Sequence, residues 1–369
     1  MAKVIGLVNL HGNVNYSGLT NKRPAASVSF LGRYAIVDFV LSNFSNSGID
    51  NVGVLVQDKP RSIIKHLGGG TSWNLNQKRG GLSTLYNEKY ANNASYNTDI
   101  NNLEENLGFI YNAKADYVVV APAHVVNTIN YADVVDAHEK SGADVTLVYS
   151  KIKNADTAFI DGDVVKVEDG KVTSVSINKG TAKNKEVSLN TYVFKTDALL
   201  KMVKDAAKES AFYTLKDMVD LAIADGKVNA YQYKGYLSNV DSLVAYYKTS
   251  LELINMEYNS MVFKSNWPIF TNTNDTPPTK YLKNSSVKKA FVANGAIIDG
   301  TVENSIIGRE VKIEKGAVVK NCIILSDAKI GAGAKLENVI VDKHAQIIKK
   351  KELKGEEDAP LFVYEGDII

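Results

Sequence analysis

The feature that most constrains the fold of this chain is a six-residue repeat near its carboxyl end. Aliphatic side chains recur at this interval, and small or aliphatic residues lie two positions ahead of them. The first set consists of two runs, Ile307, Ile313 and Val319, and then Ile324, Ile330 and Leu336; the second set is Val311, Ala317, Ala328 and Ala334. An α-helix repeats every 3.6 residues or so, and antiparallel hairpins alternate with period two, so neither gives this spacing. A period of six predicts a parallel β-helix of hexapeptide repeats.

The chain up to about residue 250 alternates short β-branched runs with helical segments. The expected strands are Val4–Leu10, Asn51–Val56, Tyr117–Ala121, Asp144–Tyr149 and Thr191–Phe194. The expected helices are Tyr34–Ser47, Thr98–Tyr111, Tyr131–Ser141, Thr196–Ser210 and Ser242–Met256. This alternation predicts an α/β domain with a mostly parallel sheet. Two Asp-Gly turns predict an antiparallel hairpin, Asp163–Glu168 with Lys171–Ile177, inserted into that sheet.

A segment rich in Asn, Thr and Pro, from Trp267 to Pro278, separates the two patterns. We therefore expect an α/β domain at 1–255, a linker at 256–284 and a β-helix domain at 285–369. Within the last domain, Lys349–Asp358 is expected to be a loop and Leu361–Tyr364 a final strand.

Composition excludes several classes of function. The formal net charge is +2, with 45% apolar and 23% charged residues, so no basic stripe favours nucleic acid or a membrane surface. The single cysteine, Cys322, excludes an internal disulfide framework and fits a reducing compartment. No apolar run approaches the roughly 20 residues of a membrane span, so we expect a cytoplasmic protein.

Several runs, in the same order along the whole chain, resemble glucose-1-phosphate adenylyltransferases (ADP-glucose pyrophosphorylases). They are Leu19–Arg23, Phe30–Tyr34, Ile36–Phe39, Leu41–Asn43, Asn46–Asp50, Trp267–Thr271 and Gly300–Ser305. This resemblance implies a Rossmann-like nucleotidyltransferase domain followed by a left-handed parallel β-helix. It also implies a place in glycogen or starch synthesis, where the family makes ADP-glucose and pyrophosphate from ATP and glucose 1-phosphate.

The family's reaction needs charge neutralisation around the triphosphate, by a glycine-rich loop, cations and Mg²⁺ held by aspartates. The resemblance places the loop glycines on Leu10, His11 and Asn13, and the loop arginine on Asn15. Side chains at Leu10 and His11 are expected to obstruct the approach of the backbone to phosphates, and Asn15 supplies no cation.

The remaining catalytic positions of the family are also altered. The lysine near Arg23 becomes Ala25, and the second metal aspartate becomes Asn239. The first metal aspartate falls on Ala123 or His124, depending on a slip of one residue. The family's sugar-binding Glu-Lys-Pro reads Asn178-Lys179-Gly180, which keeps only the lysine.

Loss of one preorganised electrostatic group commonly costs about 2.7–4 kcal/mol of transition-state stabilisation. We therefore expect no catalytic residues, no bound cofactor and no activity in this chain alone, although active family members use Mg²⁺. The resemblance then implies a D-type subunit that assembles with a catalytic subunit, as a heterotetramer, and modulates it. The β-helix would supply part of the interface.

The resemblance also implies an effector site for a sugar phosphate or a nucleotide. Its candidate residues are Lys22, Arg23, Arg33, Gln57, Lys59 and Arg61. The competing interpretation is that these are solvated surface cations.

Two other functions remain open at this level. An active nucleotidyltransferase with a divergent site would need carboxylates elsewhere, and Asp99, Asp116, Asp133 and Asp241 are available. A hexapeptide acyltransferase would need a catalytic histidine in the β-helix, and the repeat contains none before His344.

Overall fold

The computed structural model describes residues 2–12, 14–78 and 80–369, and folds as two compact units. The first unit combines the residues before 14 with 39–239 and 266–270. The second combines 14–38, 240–265 and 271–369. The boundary at 255 and the linker at 256–284 stay predictions. By spatial grouping, 14–38 and 240–265 belong with the β-helix residues.

The helices are short and lie in both units. They are α1 Val37–Asn46, α2 Pro60–Leu67, α3 Asp99–Glu105, α4 Leu107–Ala113, α5 Tyr131–Ser141, α6 Thr196–Glu209, α7 Leu215–Ala224, α8 Leu243–Glu252 and α9 Met256–Val262. Single 3₁₀ turns occupy Ser17–Thr20, Ala25–Ser27 and Thr71–Trp73. Within the described ranges, no helix has the length and apolarity needed to cross a membrane.

The strands ahead of residue 240 form the main sheet and two small ribbons. They are β1 Val4–Asn9, β2 Ser29–Phe30, β3 Tyr34–Ala35, β4 Asn51–Val56, β5 Gly81–Tyr86, β6 Tyr117–Pro122, β7 Val125–Asn127, β8 Val145–Ile152, β9 Asp163–Glu168, β10 Lys171–Ile177, β11 Lys185–Lys195, β12 Val228–Gln232 and β13 Leu237–Asn239.

The main sheet has the order β5-β4-β1-β6-β11-β8-β12-β10-β9 among the described residues. The strands from β5 to β6 are parallel, as are β8 and β12, whereas β11 and β10 run against their neighbours. The predicted α/β domain with a mostly parallel sheet is confirmed, and the Asp-Gly hairpin forms with the predicted bounds.

Helices cover the sheet on both faces because successive strand residues point to opposite sides. Ile5 and Leu7 of β1 join the core that α3 and α6 complete. Between them, Gly6 faces Phe44 of α1, where a β-carbon would come within 2.7 Å of the ring. Glycine at this position therefore lets α1 approach the sheet closely.

A short return segment, residues 266–270, is anchored on α1 of the first unit. Trp267 Nε1 donates to Asn43 Oδ1 at 2.9 Å, and Asn43 Nδ2 donates to Asn127 Oδ1 at 2.9 Å. Asn46 Nδ2 donates to the carbonyl of Pro268 at 2.9 Å. These contacts fix the middle of the stretch that composition alone indicates to be a linker.

The carboxyl-terminal strands are short and pair in parallel. They are β14 Lys280–Tyr281, β15 Ser286–Val292, β16 Ile297–Ile298, β17 Thr301–Ile307, β18 Lys312–Ile313, β19 Val318–Lys320, β20 Ile323–Ile324, β21 Lys329–Ile330, β22 Lys335–Glu337, β23 Val339–Val341, β24 Gln346–Ile347, β25 Glu352–Lys354 and β26 Leu361–Val363.

These strands stack coil upon coil, which confirms the predicted β-helix. Ile313 pairs with Ile330 and Ile330 with Ile347, while Ile307 pairs with Ile324 and Ile324 with Val341. Every residue of the two repeating sets is buried. Each aliphatic residue therefore stacks on its equivalent in the next coil.

One corner of each coil is tighter than the six-residue repeat. The step from Val319 to Ile324 is five residues, and Asn321 occupies this corner with a φ of 49°. Asn304 and Asn338 occupy the equivalent corners, also with positive φ. Their amides form a ladder, from Asn304 Nδ2 to Asn321 Oδ1 at 2.8 Å and from Asn321 Nδ2 to Asn338 Oδ1 at 3.1 Å. Asparagine suits this corner because it tolerates the left-handed region better than most residues.

Several expectations need correction. The predicted helix Tyr34–Ser47 begins only at Val37, because Tyr34–Ala35 forms β3 with β2. The charged stretch Lys349–Asp358 is not only a loop, because it contains β25, which pairs with β22. The predicted helix Thr98–Tyr111 is two helices that meet at Asn106, whose side chain bonds the carbonyl of Asn102 at 2.9 Å. The predicted helix at Ser242–Met256 ends at Glu252, and α9 follows.

The asparagine ladder gives a testable contribution to stability. Asn321→Ala is expected to lower the free energy of unfolding by about 2–3 kcal/mol, since it removes two ladder hydrogen bonds and puts an ordinary residue at positive φ. Asn321→Gly removes the same bonds but tolerates the backbone, so its loss should be about 1–2 kcal/mol. Urea unfolding of both variants measures the difference. Equal losses would show that the backbone conformation contributes nothing.

Candidate functional site at the carboxyl edge of the sheet

Several positions that the resemblance assigns to the family's substrate site lie at one edge of the sheet in the first unit. Asn9, the last residue of β1, pairs with Leu55 of β4 on one side and Pro122 of β6 on the other. Leu10 and His11 follow β1, and Ala123 and His124 follow β6. The carboxyl ends of parallel strands are the usual place for a ligand in an α/β sheet.

His11 is held in a buried polar network. Its backbone N–H donates to Asn9 Oδ1 at 2.9 Å, and Asn9 Nδ2 donates to Asp99 Oδ2 at 2.7 Å. Asn102 Nδ2 lies 3.4 Å from His11 Nε2. Burial lowers the pKa of His11, and the nearby Asp99 carboxylate offsets this only in part. The ring at this loop position is therefore neutral near pH 7.

Asp99 already uses both of its oxygens within the fold. Besides Asn9, it accepts a hydrogen bond from the Leu215 backbone N–H at 2.9 Å, at the start of α7. The side chain is buried. This carboxylate therefore joins β1, α3 and α7, which is a structural role.

The two positions that the resemblance assigns to metal-binding aspartates lie close together. Asn239, at the end of β13, pairs with Val125 at the start of β7, and His124 directly precedes Val125. Burial lowers the pKa of His124 to about 4, so its imidazole is neutral at pH 7. Ala123 is apolar and buried. The structure thus brings together the positions where carboxylates are expected, and all are uncharged.

These residues do not fit Mg²⁺, because a hard divalent cation prefers carboxylate and other oxygen ligands with charge to balance it. Asp116 lies at the opposite edge, ahead of β6, where it accepts from the Lys3 backbone at 2.7 Å. Asp133 is exposed in the first turn of α5. In the described part of the chain, no group of three or more His, Cys, Asp or Glu side chains could hold a metal ion.

The remaining positions of the family's substrate loop lie elsewhere or outside the description. Asn13 lies outside the described residues. Asn15 belongs to the second unit, where its Oδ1 accepts from the Ser17 N–H at 2.8 Å and from Thr20 Oγ1 at 3.0 Å. Ala25 opens a 3₁₀ turn there. Both residues serve local backbone turns.

The side chains of Asn178 and Lys179, at the expected sugar-binding positions, also make contacts within the fold. Asn178 is buried, and its Nδ2 donates to the carbonyls of Ala155 at 2.8 Å and Phe159 at 3.0 Å. Lys179 forms an exposed ion pair with Asp161 at 2.8 Å.

The effector candidates of the first unit lie after β4. The backbone carbonyl of Gln57 accepts from Asn97 Nδ2 at 2.7 Å. Lys59 pairs with Asp58 at 3.3 Å, and Arg61 is exposed on α2. Their role in binding an effector stays a prediction.

In the second unit, Lys22 and Arg23 differ sharply in their surroundings. Lys22 is exposed and pairs with Glu365 at 3.3 Å. Arg23 is buried in an ion pair with Asp342, and its Nε donates to the Leu19 carbonyl at 2.8 Å. Removing one partner of such a pair is strongly destabilising, so Arg23 has a structural role whatever else it binds.

Arg33 has a neighbour that sequence reasoning missed. Arg309 Nη2 donates to the carbonyl of Asn272 at 3.2 Å, and the adjacent Thr271 donates to the Arg33 carbonyl at 3.5 Å. Burial lowers the pKa of Arg309 and the positive charge of Arg33 lowers it further, while the Asp38 carboxylate opposes this shift in part. Arg309 was missed because it lies in a β-helix corner, where a charged residue is usually solvated.

Both parts of the chain match known protein families. The Nucleotidyl transferase family matches residues 16–255, and the family of GlmU-like C-terminal hexapeptides matches 277–363. The chain is 34% identical to the glycogen biosynthesis protein GlgD of Bacillus subtilis over 94% of its length and 91% of that protein. It is 32% identical to the glucose-1-phosphate adenylyltransferase of Lachnospira eligens, over 80% of its own length and 70% of that protein.

The chain belongs to the glucose-1-phosphate adenylyltransferase family.

Within that family it is similar to proteins named for glycogen biosynthesis. The GlgD protein of Geobacillus stearothermophilus is 33% identical over 95% of this chain and 92% of its own length. The resemblance seen in the sequence motifs is thereby confirmed, and so is the pairing of a nucleotidyl transferase domain with hexapeptide repeats.

The neutral His124 has a consequence for acid stability. Its pKa in the folded chain, about 4, lies below the ordinary 6.5, so acid favours the unfolded chain. The stability that the neutral His124 contributes above pH 6.5 is lost as the pH falls toward 4. Between pH 7 and pH 5, the free energy of unfolding measured with urea should fall by about 1 kcal/mol less in His124→Gln than in wild type.

His138 is present in the wild type and in the His124→Gln variant. Burial lowers its pKa to about 4 as well, so its contribution to acid destabilisation cancels when the two are compared. Equal losses in wild type and variant would contradict the burial of a neutral His124.

Proposed function

We propose that this chain is a non-catalytic subunit of ADP-glucose pyrophosphorylase that modulates a catalytic partner in glycogen biosynthesis. The supporting observation is the uncharged edge formed by Ala123, His124 and Asn239, where the family's reaction needs Mg²⁺. The similarity of the chain to two proteins that are each named glycogen biosynthesis protein supports the assignment to that pathway.

The hydrogen-bond network around His11 is a second observation that supports this proposal. A phosphate would need open backbone N–H groups at this loop and cations around it. Here the N–H of His11 is already bonded to Asn9, and the ring is packed beside Asn102. Binding of a triphosphate would have to displace these groups.

The proposed subunit acts through a catalytic partner, in a heterotetramer that contains both kinds of chain. The resemblance implies this assembly, and the stacked strands of the β-helix are the part of the second unit suited to it. Regular strand faces pack readily against a second protein.

The first experiment is a pyrophosphate-release assay with ATP, glucose 1-phosphate and Mg²⁺. The chain alone is expected to give no release, since its metal edge is neutral. Mixed with the active-type subunit from the same cell, it should change the rate or the effector response. The active subunit with heat-unfolded chain is the control. Turnover by the chain alone would overturn the proposal and favour an active enzyme with a divergent site.

The paired arginines support an effector site for a phosphate-bearing ligand in the second unit. Arg33 and Arg309 are both cationic at physiological pH, because a guanidinium is not deprotonated in proteins. Two such charges near one another repel, and a bound anion would relieve this repulsion.

This site can be tested with inorganic phosphate as the probe. Arg33→Gln or Arg309→Gln should each weaken phosphate binding about tenfold, which corresponds to the loss of one charge-assisted hydrogen bond. Isothermal titration calorimetry on the chain measures the affinity. Lys335→Gln, an exposed lysine of β22 in the same unit, is the matched control. An equal loss of phosphate affinity in all three variants would indicate diffuse electrostatic attraction rather than a specific binding site.

A further inference from the structure

A stack of aromatic rings lies on the surface of the first unit, outside the site described above. The rings of Tyr90 and Tyr96 are 5.6 Å apart and nearly parallel, at 29°. Those of Tyr96 and Phe212 are 5.0 Å apart, also at 29°. Residues more than a hundred positions apart in the sequence thus form one column.

The two ends of the column differ. At the Tyr90 end, Lys89 Nζ lies 4.8 Å from the ring centroid and covers its face as a cation–π contact. At the other end Phe212 is 60% exposed. An exposed phenylalanine ring gives up much of the free energy that burial would provide. The column is therefore closed at one end and open at the other.

Hydrogen bonds hold the backbone under each ring. Asn87 Oδ1 accepts from the Tyr90 N–H at 3.0 Å, and Ser210 Oγ accepts from the Phe212 N–H at 3.2 Å. The buried Asn101 donates to the carbonyls of Tyr96 at 2.6 Å and Ala211 at 2.8 Å. Asn101 thereby clamps the two chain segments that carry the column, so the open face is already in place before anything binds.

The groups around the column favour a neutral, hydroxyl-rich ligand. Exposed amides and a hydroxyl, Asn92, Asn93 and Ser95, lie in the segment between Tyr90 and Tyr96. Lys89, the cation that covers Tyr90, lies in the field of Glu104 and Glu105, and its backbone N–H donates to Glu105. These carboxylates disfavour a ligand with phosphates.

We propose that the open face of Phe212 binds a pyranose ring of an α-1,4-glucan chain. The C–H groups on one face of a glucose ring pack on an aromatic face, and the ring hydroxyls remain at its edge for the nearby amides. A nucleotide base could stack in the same way, but its phosphates would meet the glutamates. The inference is independent of whether the chain is catalytic, since it concerns a surface away from the metal edge.

The test is binding of the whole chain to glycogen, by retardation in a native gel, and to maltoheptaose, by calorimetry. Wild type is expected to bind both. Phe212→Ala should weaken binding at least about tenfold, consistent with the loss of one stacking contact. Phe212→Trp should retain it, because a larger aromatic face replaces the ring.

Tyr111→Ala is the matched control, because Tyr111 is 45% exposed and carries Lys204 at 5.2 Å from its ring but belongs to no column. It should bind like wild type. The proposal fails if wild type binds neither probe, if Phe212→Ala binds like wild type, or if adenosine rather than maltoheptaose binds in a Phe212-dependent way. Circular dichroism of each variant shows that a loss is not unfolding. The assay needs no partner subunit, so its failure leaves the proposed function untouched.

Discussion

The central coils of the β-helix depend on a constant spacing of 17 residues, from Thr301 to Val318 and from Val318 to Lys335. The equivalent asparagines lie 17 positions apart, and this spacing returns every inward side chain to the same place above its predecessor. Backbone N–H and carbonyl groups of each coil pair with the next coil. One inserted residue would break these pairs and turn an aliphatic side chain outward. The five-residue corner satisfies this spacing, and it requires a residue that accepts positive φ.

At the carboxyl edge of the sheet in the first unit, polar side chains bond to one another and to the backbone. In an enzyme, such an edge holds charges that are satisfied only when substrate and metal bind, and this arrangement lowers stability. Here Asp99 is bonded to Asn9 and to the start of α7, and His124 is neutral. The side chains of Asn9 and Asp99 therefore have hydrogen-bond partners without a ligand.

Much of the fold follows from local sequence patterns. The hairpin bounds are predicted because the Asp-Gly turn, with Asp169 and Gly170 at positive φ, fixes where the strands stop. The β-helix is predicted because its inward positions are chemically uniform. By contrast, β11 starts at Lys185, well ahead of the predicted Thr191, because a bulge with Asn190 at positive φ interrupts its alternation.

The candidate site was predictable only in part. The obstruction at His11 and the missing charge at Asn239 can be seen from the sequence, since each concerns one residue type. The network through Asn102 could not be predicted from the sequence, because it depends on how α3 lies against the end of β1. Arg309 was missed for a similar reason, because only the folded coil brings it to Asn272.

The interleaving of the two units limits how such a protein can change over generations. The chain leaves the first unit near residue 13, returns at 39, leaves again at 239 and comes back for 266–270. A single recombination point therefore cannot exchange one unit for that of a relative and leave the other whole. Proteins of this kind should diversify by point substitution within both units rather than by exchange of whole units.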